Sequence, residues 1–219
     1  MDDQRGLRNW WRKRRWYERP HRPLRRLRLD LELARRGCYA RHPVEGDVLG
    51  ALLDGRLEMG QGCHLEPGCW ITMSDRAKVT LGDDVWLNRN VMIAAENEVT
   101  IGDHVMFANG CFVGDASHRF DDPDLPITWQ GFTSKGPVRI GSNVWLGVNV
   151  VVTSGVTIGD HCVIGANSVV TADVPDRTIA VGTPAKTVGE VEFLQPEDGA
   201  GKSPPDPGGS GGGPPPESA

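Results

Sequence analysis

The stretch IGSNVWLGVNVVVTSGVTIGDHCVIGANSVV, residues 140–170, carries an aliphatic side chain at every sixth position. A small or β-branched residue follows four places after each of these positions. A period of six residues matches neither the 3.6-residue α-helix nor a simple alternating strand. It is typical of a β-helix, in which each hexad forms one short strand and one turn. The repeating positions in this stretch are Ile140, Leu146, Val152, Ile158, Ile164 and Val170.

The same hexad extends towards the N-terminus, where it is grouped in threes. Extra residues interrupt it three times, four after Ile71, two after Ile93 and twenty-one after Val113. Because each interruption follows the third member of a triplet, all of them fall at one corner of a triangular prism. We therefore predict an all-β solenoid, a parallel β-helix of about five to six coils with one long inserted loop. The earlier triplets are Met59, Leu65, Ile71; Leu81, Leu87, Ile93; and Ile101, Phe107, Val113.

The flanking segments differ from the repeats in composition. Residues 1–46 are predicted to be a basic N-terminal segment with one or two amphipathic helices, although the alternating leucines from Leu27 to Leu33 could also form a strand. Residues 47–190 form the predicted repeat domain. Residues 191–219 are rich in Pro, Gly and Ser and lack apolar anchors, which predicts a disordered tail.

Charge is distributed unevenly over a chain whose net charge is −5. Residues 1–36 contain 13 Lys and Arg against 5 Asp and Glu, a net charge of +8. This basic segment has two interpretations, a helical cap with a solvated face, which we favour, or a weak association with an anionic membrane surface. We expect no nucleic-acid partner.

The expected cellular compartment depends on membrane spans, secretory signals and the state of the cysteines. No apolar stretch reaches the length of about 18 residues that a membrane span needs, and no secretory signal is recognisable. Four cysteines occupy the small fifth position of a hexad, which predicts buried, reduced side chains. We therefore expect a cytoplasmic protein. These cysteines are Cys63, Cys69, Cys111 and Cys162.

The twenty-one-residue insertion contains a single histidine, His118. A loop of this length on a regular solenoid is usually functional. From spacing alone, His118 is equally compatible with a catalytic base and with an ordinary loop histidine. Asp115 and Trp129 lie in the same insertion and are further candidate residues.

The triplet repeats, the His-bearing loop and the closing GVTIGDHCVIGANSVVTADVP and VGTPAK together resemble the hexapeptide-repeat acyltransferases. The similarity is to the maltose, galactoside and nodulation-factor O-acetyltransferases, and it covers roughly residues 53–190. It implies a left-handed β-helix and a homotrimer that uses acetyl-CoA as co-substrate and requires no metal. It further implies that His118 is the general base for transfer of an acyl group to a hydroxyl of a sugar, polysaccharide precursor or similar small molecule.

The resemblance also assigns other residues. Asn88, thirty residues before His118, would help to hold the acceptor, with Asn90 beside it. Asp115 could orient His118 or bind an acceptor hydroxyl, and Trp129 could stack on a sugar ring. Two positions depart from the family pattern, since SHRF replaces the usual GHP around the histidine and Ala172 stands where relatives often have Lys. Coenzyme A would lie along the C-terminal coils, against Trp145, Gly147, Ala166, Thr171 and Lys186.

Three other interpretations remain open at this stage. A zinc carbonic anhydrase on the same solenoid would need three metal-binding histidines, and no second histidine lies near His118 in the sequence. N-acyl transfer to an amino sugar differs only in the acceptor, and the loop does not separate an amine from a hydroxyl. A non-catalytic scaffold would not require a long His-bearing loop. The histidines are at 21, 42, 64, 104, 118 and 161.

Overall fold

A computed structural model describes residues 23–193 as two α-helices and a β-solenoid, whose first strand lies between the helices in the sequence. The helices are α1, Pro23–Ala34, and α2, Val48–Asp54. The strands are β1 Tyr39–Ala40, β2 Leu57–Met59, β3 His64–Leu65, β4 Trp70–Met73, β5 Lys78–Leu81, β6 Trp86–Leu87, β7 Met92–Ala95, β8 Glu98–Ile101, β9 Met106–Phe107, β10 Phe112–Gly114, β11 Ser117–His118, β12 Phe132–Thr133, β13 Val138–Ile140, β14 Trp145–Leu146, β15 Val151–Val152, β16 Thr157–Ile158, β17 Val163–Ile164, β18 Val169–Val170, β19 Thr178–Gly182 and β20 Ala185–Glu190.

Three parallel sheets form the sides of a triangular prism. Sheet A consists of β1, β3, β6, β9, β14, β17 and β19, with β20 added antiparallel at its end. Sheet B consists of β4, β7, β10, β15 and β18, and sheet C of β2, β5, β8, β13 and β16. The repeating residues stack in register, as in the pairs Leu65–Leu87 and Ile71–Ile93, and they fill the core. The predicted triplet of hexads per coil is confirmed.

The corner between sheet B and sheet C contains every insertion that the sequence predicted. Residues 74–77, 96–97 and 115–137 all connect a strand of sheet B to the next strand of sheet C. Helix α2 occupies the same corner one coil earlier, after Glu45 bridges to Trp70 of sheet B. Asp47 caps this helix by accepting a hydrogen bond from the Gly50 N–H, and Gly55 ends it with a φ of +79°. We call the corner between sheets B and C the insertion corner.

The N-terminal region joins the solenoid earlier than the repeat pattern indicated. Residues 23–34 are a helix rather than a strand, because Leu29 and Leu33, one turn apart, are buried against the core. Strand β1 already pairs with β3, so the parallel ladder begins at Tyr39 and not at residue 47. The remainder of the predicted helical segment, residues 1–22, and the predicted tail from residue 194 lie outside the described residues.

The outward faces of the three sheets differ in chemistry. Sheet C is charged and carries ion pairs between neighbouring coils, Lys78–Glu58 at 2.9 Å and Arg139–Glu98 at 3.2 Å. Sheet A instead presents a ladder of aromatic and apolar side chains. Sheet B presents apolar side chains as well. The outward residues in register are Tyr39, His64, Trp86, Met106, Trp145 on sheet A and Trp70, Met92, Phe112, Val151, Val169 on sheet B.

All five cysteines are buried and free of disulfide bonds, as the hexad positions of four of them predicted. Burial raises the pKa of the Cys69 thiol to about 11. The four cysteines at hexad positions, whose thiol pKa values are all raised, therefore act as small apolar core residues. Neither helix of residues 23–193 is long and apolar enough to cross a membrane.

Candidate functional site

The long insertion folds back on itself as a short hairpin. Strand β11 pairs antiparallel with β12, so that His118 lies opposite Phe132, and a 3-10 turn, Ile127–Trp129, forms its tip. The loop is therefore an ordered arm at the insertion corner. Its pairing fixes the direction in which the His118 side chain points.

Asp115 anchors the base of this arm. Its side chain is fully buried, and its carboxylate accepts backbone N–H bonds of 2.7 Å from Glu96, Asn97 and Glu98. The hydroxyl of Ser154 donates to the Asp115 carbonyl at 2.7 Å. Because both carboxylate oxygens are used inside the corner, Asp115 does not reach His118 or a substrate. We correct its predicted substrate-binding role to a structural one.

His118 is exposed, and its ring packs against the ring of Phe132 with 4.6 Å between their centroids. It forms one wall of a groove of about 510 Å³ that runs over the outward face of sheet B. A Cβ on Gly114 would lie 2.7 Å from the tip of the Phe112 ring that forms part of the floor, so a larger residue here would displace this ring. The groove is lined by Trp70, Thr72, Met73, Ser74, Met92, Ala94, Ala95, Glu96, Phe112, Ala116, Ser117, His118 and Phe132.

Several polar residues of this groove were not identified from the sequence, among them Glu96 and Ser74. Glu96 is half-buried, and its backbone N–H is held by Asp115. The Ser74 hydroxyl donates to the Glu96 carbonyl at 2.8 Å, which ties two neighbouring coils together. Both residues belong to short insertions at the same corner as His118. The shared phase of the three insertions was the signal that could have identified them.

Asn88 and Asn90 lie at a different corner, between sheet A and sheet B. The Asn88 amide nitrogen donates to the Phe107 carbonyl at 2.7 Å. Asn90 adopts a φ of +59°, and its side-chain oxygen packs over Gly68, where a Cβ would lie only 2.1 Å away. Neither residue lines the His118 groove. A single chain therefore does not bring them together with His118.

Trp129 lies on the tip of the arm and is 75% exposed. It does not line the groove. Its role in stacking on a sugar therefore stays a prediction, which requires either movement of the tip or an acceptor that extends beyond the groove.

The residues predicted to bind coenzyme A lie on the C-terminal coils. Trp145 is on the outward face of sheet A and is 51% exposed. A Cβ on Gly147 would lie 2.6 Å from the Ala166 nitrogen, so glycine is also required for stacking of the coils. Lys186 is exposed on β20. Thr171 is exposed too, but it follows β18 and lies on the sheet B side.

A metal centre has no counterpart in the described part of the chain. Within residues 23–193, no three His, Cys, Asp or Glu side chains are arranged to bind a metal ion. His104 lies 3.5 Å from Asp84 at the corner between sheets C and A, and His64 stacks on Trp86. Within residues 23–193, the histidines outside the loop thus have local partners of their own.

The comparisons with known proteins agree with this architecture. A family model described as the hexapeptide repeat of succinyl-transferase matches residues 137–172. A probable acetyltransferase of Mycobacterium tuberculosis (strain ATCC 25618 / H37Rv) is 44% identical over 132 residues, 57% of this chain and 44% of that protein. The chain thus spans less than half the length of this relative.

Two galactoside acetyltransferases match over a larger share of their length. The galactoside O-acetyltransferase of Escherichia coli (strain K12) is 32% identical over 151 residues, which cover 68% of this chain and 72% of that enzyme. A solved galactoside acetyltransferase in complex with coenzyme A superimposes with a TM-score of 0.57 at 30% identity, and covers 78% of this chain and 82% of that one. This fold is the left-handed parallel β-helix that the resemblance implied. The chain belongs to the hexapeptide-repeat acyltransferase family.

Proposed function

We propose that this protein is an acetyl-CoA-dependent O-acetyltransferase that acts on a hydroxyl of a sugar or a related small molecule. The observation that carries the proposal is the position of His118 on an ordered arm, where it forms a wall of the groove. The coenzyme A that the solved galactoside acetyltransferase holds supports the choice of co-substrate. Membership of the family supports the reaction type.

His118 acts as the general base in this proposal. A neutral imidazole takes the proton from the acceptor hydroxyl as that oxygen attacks the thioester carbonyl. The proton then passes to the thiolate that leaves when the tetrahedral intermediate collapses. Pairing of β11 with β12 and contact with Phe132 restrict the orientation of the ring, which favours a productive geometry.

The groove has the mixed chemistry that a sugar requires. Its floor is apolar and includes Trp70 and Phe112, against which the flat face of a pyranose can pack. Glu96 and Ser117 offer hydrogen-bonding groups along the same groove. Few, well-placed polar groups on an apolar surface are typical of small-molecule sites. We therefore assign the acceptor to this groove.

The coenzyme A site belongs to the C-terminal coils. Gly147 and Ala166, in contact on successive coils, present little side chain, which allows a pantetheine arm to approach the backbone. Lys186 supplies a cation for a phosphate of the cofactor. Trp145 and Thr171 complete the proposed set.

We propose a homotrimer because the active-site groups are separated within one chain. His118 is on the insertion corner, whereas Asn88 and most of the coenzyme A residues lie on or beside sheet A. The outward faces of sheets A and B are apolar, which favours their burial against neighbouring copies. In the trimer, His118 of one chain would face the coenzyme A residues of the next.

The test is thiol release from acetyl-CoA in the presence of a panel of sugars and amino sugars. We expect His118→Asn to lower turnover by about 10²–10⁴-fold. His104→Asn is the matched control, since it removes an exposed histidine outside the groove. The proposal is wrong if neither enzyme form binds acetyl-CoA, or if His118→Asn turns over at the wild-type rate. A preference of the wild-type enzyme for amino sugars would indicate N-acyl transfer instead of the proposed O-acyl transfer.

A further inference from the structure

Helix α1 is fixed to the solenoid by one face. Leu29 and Leu33 are buried, at 7% and 1% exposure, against the first coil. Arg25 forms an ion pair with Asp47 of the α2 cap, and Asp30 lies 2.7 Å from His42 in the turn after β1. These contacts come from helix positions that share the inner side. The opposite face of α1 must therefore point away from the protein.

That opposite face is apolar. Leu24, Leu27 and Leu31 are 82%, 57% and 54% exposed. Their spacing of three and four residues places them in a single stripe along the helix. Arg28, which is exposed, borders the stripe on one side. Arg35, just after the helix, lies on the same side and is paired with Glu32 at 2.8 Å. The helix thus presents a strip of leucine flanked by arginine, and we call this the leucine face.

Helix α1 and the two residues after it are basic, in contrast to the part of the chain that follows. Residues 23–36 contain five Arg against Asp30 and Glu32, a net charge of +3, whereas residues 37–193 contain 10 Lys and Arg against 20 Asp and Glu, a net charge of −10. An anionic partner would be attracted to the helix and repelled by the acidic residues of the solenoid.

We propose that the leucine face docks on an anionic lipid bilayer. Transfer of the exposed leucines out of water lowers the free energy of the system. The interfacial region of a bilayer can bury such a stripe while its anionic headgroups pair with the arginines. A nucleic acid would use the arginines and leave the leucines in water. A second copy of α1 would bring Arg28 and Arg35 of two chains together. A bilayer therefore satisfies both features of the face.

The helix is also connected to the groove. Arg25 of the helix pairs with Asp47, and the residue before Asp47 is Gly46. Gly46 packs closely beside Trp70, since a Cβ at this position would lie 3.3 Å from the Trp70 ring. Trp70 in turn lines the groove. Docking through α1 would hold the N-terminal end of the prism, and with it this end of the groove, near the membrane. Acceptors carried on lipids would then be within reach. The docking itself does not depend on the proposed catalysis.

The test is co-sedimentation of the full chain with vesicles of phosphatidylcholine, with and without phosphatidylglycerol. We expect binding to the phosphatidylglycerol vesicles only, and a decrease at high salt. Leu27→Gln/Leu31→Gln, which keeps a good helix former at both positions, should weaken binding about tenfold or more. Leu125→Gln is the matched control, an exposed leucine of the loop arm outside the groove.

Charge is tested separately from the leucines. Arg28→Gln should weaken binding to phosphatidylglycerol vesicles severalfold, whereas Arg76→Gln, at an exposed position on another turn, should not. Unchanged circular dichroism confirms that each variant is folded. The proposal is overturned by equal binding to both vesicle types or by unaltered binding of Leu27→Gln/Leu31→Gln. Sedimentation with duplex DNA but not with vesicles, or a higher oligomer that these leucine changes break, would also overturn it.

Discussion

Asp115 is the residue on which the geometry of the loop arm depends most. Its buried carboxylate accepts three backbone N–H bonds, and removal would leave these donors without an acceptor inside the corner. We expect Asp115→Ala to lower the free energy of unfolding by about 3 kcal/mol or more. Urea denaturation measures this loss.

The control for Asp115 is another aspartate of the same loop. Asp121 pairs with Arg119 at the surface, and such exposed pairs contribute little to stability. Asp121→Ala should leave the urea midpoint unchanged. Equal midpoints for wild type and Asp115→Ala would show that the carboxylate does not hold the arm.

Glu96 is the carboxylate that remains available in the groove. If it binds an acceptor hydroxyl, Glu96→Gln should raise the acceptor KM severalfold, because a charge-assisted hydrogen bond becomes a neutral one. The KM for acetyl-CoA should not change. Steady-state kinetics with both substrates varied separates the two values. If only the KM for acetyl-CoA changed, Glu96 would not be a residue that binds the acceptor.

At the scale of the coil, Gly147 has a structural role as well as a proposed ligand role. A Cβ at this position would meet the backbone of Ala166, which cannot move without separating two coils. We expect Gly147→Ala to lower the melting temperature clearly. Lys186→Ala, on an exposed position of β20, should instead weaken coenzyme A binding while the melting temperature stays the same. Calorimetry of binding and of unfolding distinguishes the two variants.

Elements built from the hexad were predictable, because each coil repeats the same inward residue and the same turn. The insertion corner was predictable for the same reason, from the shared phase of the interruptions. Helix α2 was not predicted. It is a further insertion at that corner, but it precedes the first complete triplet and therefore does not interrupt the hexad pattern. The role of Asp115 was mistaken, because sequence shows that an aspartate precedes His118 but not that three N–H groups of the previous coil point at it.

At the scale of the whole molecule, the two apolar sheet faces require cover. Met106, 44% exposed at the centre of sheet A, is expected to lie at or near a contact between copies. Met106→Lys should convert the proposed trimer to monomers and abolish turnover. Thr80→Lys, on the charged face of sheet C, is the control and should stay assembled. Light scattering after size exclusion measures the mass. A Met106→Lys protein that remains trimeric would exclude this part of sheet A from the interface.

We propose that the loop arm serves to present the His118 imidazole to the groove. The most direct measurement is acetyl transfer by His118→Ala, with and without added imidazole, once a sugar acceptor has been identified. We predict that the variant still binds acetyl-CoA, that its turnover falls by about 10²–10⁴-fold, and that imidazole restores part of the rate. Turnover by His118→Ala at the wild-type rate would contradict the proposed role of His118 as the general base.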